Sequence, residues 1–217
     1  MNMSSLNALR ALAIAGALAL ASAAQAQIQF QVQLDTSSLI TNPAGPFTLD
    51  FQLNDGSGTG DANNWATISD FKFGGGSATG GSVWTTGGAS GDLGSSVTLN
   101  DSDPLFNDFT QGFTPGSWLS FTVSLSTQVD AGGTPDEFSF AILDGNFFNL
   151  PTTSLGTDTF VQVAIDSGAP TILTASSLDG AIPSPTVTPV PEASTYGLVG
   201  AALLGLVALK RRRRTAS

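Results

Sequence analysis

The 217-residue sequence contains no cysteine and no histidine. Without cysteine no disulfide can staple the fold, so a domain must hold together through its hydrophobic core. The lack of both residues excludes the Ser-His-Asp and Cys-His catalytic mechanisms. It also excludes zinc and most transition-metal sites, because carboxylate and carbonyl oxygens favour calcium, magnesium or manganese.

Positive charge is nearly absent from the middle of the chain. Between Gln27 and Val190 there is one basic residue, Lys72, against sixteen acidic residues, which gives this region a net charge of −15. Nucleic-acid phosphates bind through lysine and arginine, so this region is predicted not to bind nucleic acid. Such a charge is compatible with cations, basic partners or simple solubility.

Long apolar runs occur only near the two ends of the chain. Arg10 precedes an 11-residue apolar run, residues 11–21, and Ala24 and Ala26 form an A-x-A cleavage site. This order is typical of a secretory signal peptide, and the run is short for a membrane span. Residues 1–26 are therefore predicted to be a signal helix, with Gln27 as the first residue of the mature chain.

The region from residue 27 to 181 alternates apolar and polar residues with the period of a β-strand. Strong alternation is present at residues 28–35, 47–53, 119–125, 138–142 and 159–165, and weaker strands are predicted at 67–73, 82–85, 95–99 and 171–175. Glycine, asparagine and aspartate separate them, as in tight turns. The pattern predicts an all-β domain, an antiparallel β-sandwich resembling a jelly roll. One helical turn is predicted at residues 103–109, where an acid precedes proline.

The C-terminal segment has three parts. Residues 182–190 (IPSPTVTPV) are rich in proline and threonine and predict an extended, semi-rigid linker. The sorting-motif candidate follows as Val190, Pro191, Glu192, Ala193 and Ser194. Residues 196–209 are apolar and are predicted to form a short transmembrane helix, which ends at the basic residues Lys210, Arg211, Arg212, Arg213 and Arg214. These cations should stay on the cytoplasmic side, which leaves the acidic domain outside.

This order of motif, apolar helix and basic cluster at residues 191–214 resembles the PEP-CTERM sorting signal. The sequence departs from the family pattern at Ala193, where proline is usual. The resemblance implies recognition and processing by exosortase, a membrane protease-transpeptidase, after export by the secretion machinery. The opening of the domain, residues 34–61, also resembles a PEP-CTERM subfamily with an uncharacterised β-rich ectodomain. The wider family is associated with exopolysaccharide and biofilm, which implies an extracellular polysaccharide partner.

Catalysis, if present, would depend on carboxylates alone. The most distinctive pair is Asp136 and Glu137, because Glu137 is the one glutamate of the domain. Neighbouring residues of a strand point to opposite faces, so these two are not expected to flank a single glycosidic bond. We expect no enzymatic activity and no obligatory cofactor.

Two kinds of binding site remain open. Oxygen-rich turns could bind calcium, and the candidate ligands are Asp55, Asp61, Asp101, Asp103 and Asp108. Sugars stack on exposed aromatic rings, and the candidates for such stacking are Trp65 and Trp84, whereas Trp118 enters a strong strand and is expected in the core.

The leading hypothesis is an exported, surface-anchored, non-enzymatic structural or adhesive protein of a polysaccharide or biofilm matrix. The alternatives are a carbohydrate-binding module and a carboxylate-based glycoside hydrolase. The helix at the C-terminus is expected to hold the chain at the membrane transiently, before it reaches the cell surface or matrix.

Overall fold

The computed structural model describes residues 27–129, 134–165 and 170–191, and within these ranges the chain folds into two antiparallel β-sheets. The strands are β1 (Gln27–Asp35), β2 (Phe47–Asn54), β3 (Trp65–Lys72), β4 (Ser77–Thr85), β5 (Ser90–Gly91), β6 (Ser96–Asn100), β7 (Asp108–Thr114), β8 (Trp118–Ser126), β9 (Asp136–Leu143), β10 (Val161–Ile165), β11 (Thr171–Thr174) and β12 (Thr186–Pro189). The first sheet has the order β12-β1-β8-β3-β6-β5, and the second β11-β10-β9-β2-β7-β4.

The alternation of the sequence sets which side of each strand is buried. In β1, Phe30, Val32 and Leu34 are buried while the glutamines between them remain partly or fully exposed. Each of these three apolar residues lies opposite an apolar residue of β8, so both strands present one face to the core. This is the arrangement that a period of two produces in an antiparallel pair.

The two sheets meet through a layer of phenylalanine rings. Phe121 of the first sheet contacts Phe51 and Phe140 of the second, with ring centroids 5.2 Å and 5.0 Å apart in edge-on geometry. All three rings are fully buried in one continuous core. Edge-on aromatic pairs add about 0.5–1.5 kcal/mol each to the stabilisation from buried area. The predicted all-β fold of two packed antiparallel sheets is therefore confirmed for the described residues.

The predicted helices at the two ends of the chain, residues 1–26 and 196–209, lie outside the described residues. Among the residues that the structure describes, no helix has the length and apolar character needed to cross a membrane.

The predicted helical turn at residues 103–109 is wrong. The Oδ1 of Asp103 accepts hydrogen bonds from the amides of Leu105 (2.9 Å) and Phe106 (3.0 Å), as at the start of a helix. These residues form turns and bends, and β7 begins at Asp108. The turn-forming bonds are local, whereas β7 pairs along its length with β2 and β4, so sheet pairing prevails over the local helix signal.

The linker predicted at residues 182–190 is partly a strand of the first sheet. Strand β12 pairs antiparallel with β1, so that Val187 lies opposite Val32 and Pro189 opposite Phe30. Ile182 is buried in the core. This segment is extended as predicted, but it is not a spacer, because alternate residues still reach the sandwich and proline is tolerated on an edge strand.

Candidate functional site

The outer face of the second sheet carries an exposed tryptophan beside polar side chains of its central strands. Thr110 of β7 lies opposite both Asp50 of β2 and Trp84 of β4, and Asp108 lies opposite Gln52. Residues directly opposite in antiparallel strands share a face of the sheet. We call the set Asp50, Gln52, Trp84, Asp108 and Thr110 the Trp84 face.

Trp84 is the most exposed tryptophan of this chain. Its side chain is 70% accessible, although tryptophan is usually largely buried. The indole belongs to β4, the edge strand of the sheet, and its neighbour Thr110 has a short side chain. The structure thus places a sugar-stacking candidate on an open face.

Two carboxyl groups lie within the Trp84 face, that of Asp50 buried and that of Asp108 partly buried. Asp50 is only 4% exposed, and burial together with the charge of Asp108 raises its pKa to about 7. Burial also raises the pKa of Asp108. Gln52 Nε2 donates to Asp50 Oδ2 at 2.7 Å, but the Oδ1 atoms of both Asp50 and Asp108 are buried without a hydrogen-bond partner.

The other two tryptophans are placed differently. Trp65 at the start of β3 is partly buried and provides less open ring surface than Trp84. Trp118 is 37% exposed, so its expected place in the core is wrong. Its ring lies on the outer side of the first sheet against Gly74, where an added Cβ would come within 2.8 Å of the indole.

A second group of buried polar residues closes one end of the sandwich. Asn64, Asp101, Ser126 and Asp136 are all less than a twentieth exposed, and we call them the buried end network. Asn64 Nδ2 donates to Asp136 Oδ2 (2.6 Å), and Ser126 Oγ donates to Asn64 Oδ1 (2.9 Å). The amide of Asn64 donates to both carboxylate oxygens of Asp101, at 3.1 and 3.0 Å. Asn64 therefore joins two acids to the end of β8.

The loop after β2 contributes to the same network. The amide of Gly56 donates to Asp136 Oδ1 at 2.8 Å. A Cβ on Gly56 would lie 2.2 Å from the carbonyl oxygens of Thr134 and Pro135, so only glycine fits this close approach. Burial raises the pKa of Asp101 to about 7, and the adjacent Asp136 adds to this effect, while the amide of Asn64 opposes it.

The calcium candidates are separated by their own turns. Burial alone would raise the pKa of Asp55, but the hydroxyl of Ser57 and the amides of Gly60 and Gly58 outweigh it and lower that pKa. Asp61 accepts from Asn63, and Asp103 from the two amides that follow it. Asp101 belongs to the buried end network and Asp108 to the Trp84 face. Within residues 27–129, 134–165 and 170–191, no three acidic side chains are grouped as metal ligands. Calcium binding stays a prediction, to be checked by melting curves in calcium and in chelator.

Asp136 and Glu137 point to opposite sides of β9. Asp136 binds Asn64 in the buried end network, whereas Glu137 Oε2 accepts a hydrogen bond from Gln162 on the outer face, at 2.6 Å. The two carboxyl groups therefore do not flank a common bond.

The predicted sorting motif begins where the sandwich ends. The amide of Val190 donates to the carbonyl oxygen of Gln29 at 2.8 Å, and Pro191 is the last described residue. Glu192, Ala193, Ser194 and the basic residues lie outside the described residues, as do Ala24 and Ala26 of the cleavage site. Gln27, the predicted mature N-terminus, opens β1 only two residues from Gln29. The N-terminal strand and the C-terminal tail therefore meet at one end of the sandwich.

Together these features define a class of protein, an anionic two-sheet β-sandwich that is followed directly by a C-terminal sorting sequence. The family model of the PEP-CTERM protein-sorting motif matches residues 189–214, so the chain carries this motif at its C-terminal end. The motif indicates export, anchoring by the C-terminus and cleavage by an exosortase. A search of curated proteins and a search of solved structures found no match.

Proposed function

We propose that this chain is a non-enzymatic adhesive or structural protein that is anchored at the cell surface and associates with extracellular polysaccharide. The observation that carries the proposal is the junction between β12 and the sorting motif. Because Val190 is bonded to Gln29, both processed ends leave the sandwich together, and the outer faces of both sheets remain free to contact a matrix.

The chemistry of the described surface supports binding over catalysis. The chain lacks the nucleophile–base combinations that use cysteine or histidine. Asp136 and Glu137 bond to partners on opposite sides of β9. An acidic, hydroxyl-rich domain stays soluble outside the cell and does not bind nucleic acid.

The proposed route to the surface begins with export by the secretion machinery and removal of residues 1–26. An exosortase-type membrane protease then processes the tail. Mass spectrometry of the protein from its native cell should give termini near Gln27 and Pro191. A mature form that keeps Arg211–Arg214 would contradict tail processing.

Truncation of the tail tests the anchoring directly. A variant that ends at Pro191 should appear in the culture medium, while the complete chain should fractionate with the surface and its polysaccharide. The matched control lacks only residues 215–217, which lie beyond the matched motif, and it should behave as the complete chain. Equal retention of all three forms, or accumulation of the complete chain in the cytosol, would overturn the proposal.

A further inference from the structure

We propose that the Trp84 face is a binding site for an uncharged, pyranose-containing polysaccharide, with the indole of Trp84 as the stacking platform and Asp50 and Asp108 as hydroxyl acceptors. This inference rests on the proposed association with polysaccharide and deepens it by naming the site and the glycan class.

The exposed indole and the polar side chains lie next to each other on the outer face of the second sheet. Trp84 lies two strands away from Asp50, about 10 Å at the usual strand spacing, and the short side chain of Thr110 is between them. Asp108 is the diagonal neighbour of Asp50, about 7–8 Å away by sheet geometry. A ring stacked on the indole over Thr110 would therefore direct its hydroxyls towards the two acids.

Each of the two acids has one side-chain donor, Gln52 for Asp50 and Thr86 for Asp108, which leaves one oxygen of each without a partner. The Oδ1 atoms of Asp50 and Asp108 are buried without a partner, and each can only accept when ionised. Lys72 is the single basic residue between Gln27 and Pro191, and it belongs to β3 of the other sheet. Donors for these two Oδ1 atoms would then come from a bound ligand, and sugar hydroxyls are suitable donors. Both oxygens are covered in the free protein, so binding requires side-chain rotation.

The pair is also unfavourable for folding, which indicates a role other than stability. Two like charges on adjacent strands, one buried and one partly buried, raise the free energy of the folded state. Neutral asparagine or threonine would fit a sheet face at lower cost.

Charge selects among glycans. The region from Gln27 to Val190 carries a net charge of −15, so it repels anionic polysaccharides. A cationic amino-sugar polymer would bind any part of so acidic a surface and would not report on the Trp84 face. An uncharged glycan is therefore both the proposed ligand and the informative probe.

Paired carboxyl groups also occur in glycoside hydrolases, so binding at the Trp84 face has to be distinguished from hydrolysis by experiment. Such enzymes keep one carboxyl protonated and the other ionised by pushing the two pKa values apart. Here burial raises the pKa of both Asp50 and Asp108. Release of reducing ends from a bound glycan would replace binding by hydrolysis and would overturn the proposal.

The test titrates the full-length protein, in a detergent without a sugar headgroup, with soluble polysaccharides. The probes are an uncharged β-glucan, an uncharged galactomannan, anionic alginate and the polysaccharide extracted from the producing cell. We expect binding to at least one uncharged probe and none to alginate. Trp84→Ala should weaken that binding about tenfold, the size of one lost aromatic contact, and Trp84→Phe should restore most of it.

The control variant is Trp118→Phe, which alters the outer face of the other sheet and should leave binding unchanged. Equal affinity of Trp84→Ala and the unaltered protein, or absence of binding to every uncharged probe, overturns the site. If Trp84→Ala loses glycan binding in solution yet remains in the matrix fraction, the site stands and the matrix association has another origin. If the unaltered protein is absent from the surface, the proposed function itself fails.

Discussion

The described part of the chain contains two pairs of neighbouring acids, and their hydrogen bonding differs. In the buried end network, Asp101 and Asp136 each accept hydrogen bonds at both carboxylate oxygens, from Asn64 and Gly56. On the Trp84 face, Asp50 has one donor, Gln52, and one oxygen of each acid is left without any. A satisfied buried network fixes a structure, whereas an unsatisfied one costs stability unless a ligand completes it.

Within one domain, the acids of the buried end network therefore stabilise the fold, whereas the acids of the Trp84 face are available to a ligand. Removal of a hydrogen-bond donor from the buried end network should lower the free energy of unfolding. Removal of a charge from the Trp84 face should raise it. The four predictions below test this contrast, from the largest expected effect to the smallest.

Asn64→Ala should lower the free energy of unfolding by about 3 kcal/mol or more. The change removes the Nδ2 donor to Asp136 and the Oδ1 acceptor of Ser126, and it leaves buried polar atoms unpaired. Urea denaturation measures the loss. The control is Asn146→Ala in an exposed turn, which should change stability by less than about 0.5 kcal/mol. Similar effects of both changes would show that the network is not structural.

Asp50→Asn should raise the free energy of unfolding at pH 8 by about 1–3 kcal/mol. The folded pKa of Asp50, about 7, lies above its unfolded value of 3.8, so its contribution to stability is lost as the pH rises between these values and the loss is nearly complete at pH 8. Asparagine keeps the shape without the charge. The gain should shrink at pH 5, where Asp50 is protonated in the folded state. A loss of stability at pH 8 would contradict the account.

The unaltered protein should become more stable as the pH falls from 8 to 5, by about 1–2 kcal/mol. Asp50 and Asp101 both have folded pKa values of about 7, and the tighter proton binding of the folded state adds stability until the unfolded value is reached. Below about pH 4 the trend should reverse, because the lowered pKa values of Asp55 and Asp103 then cost stability on protonation. Urea midpoints across this range check the curve, and a steady decline from pH 8 downwards would refute it.

Trp84→Ala should change the free energy of unfolding by less than about 0.5 kcal/mol. The ring is largely in solvent, so its removal leaves no cavity. Trp65→Ala, at a partly buried ring, is the comparison and should cost more. Thermal melts of both variants measure the difference. A large loss of stability in Trp84→Ala would show that this ring stabilises the fold.

Alternation predicted most of the strands because the core face is apolar at every second residue, as in β1, β2 and β8. Strand β7 was not predicted because a polar residue, Gln111, stands between Phe109 and Phe113 on its core face. Gln111 is buried there, and its Nε2 donates to the carbonyl oxygens of Thr79 and Gly112. Because backbone carbonyl oxygens of β4 and of β7 itself accept these hydrogen bonds, Gln111 interrupts the apolar pattern of the sequence without disrupting the fold. Strand β12 was not predicted because the prolines in and around it, Pro183, Pro185, Pro189 and Pro191, indicate a linker.

The sequence alone indicates only part of the Trp84 face. Trp84 was identified as a stacking candidate because glycines surround it. Asp50 was not, although an acid in the middle of the apolar strand FTLDFQL is itself a signal, since aspartate is depleted in strands. Its proximity to Asp108 depends on the register between β2 and β7, which no local pattern specifies.

The most direct test of the contrast measures stability and glycan affinity of Asp50→Asn in one preparation at pH 8. We predict that the variant unfolds at higher urea than the unaltered protein but binds the uncharged glycan more weakly. A variant that is more stable and binds equally well would show that the carboxyl group of Asp50 has no part in recognition.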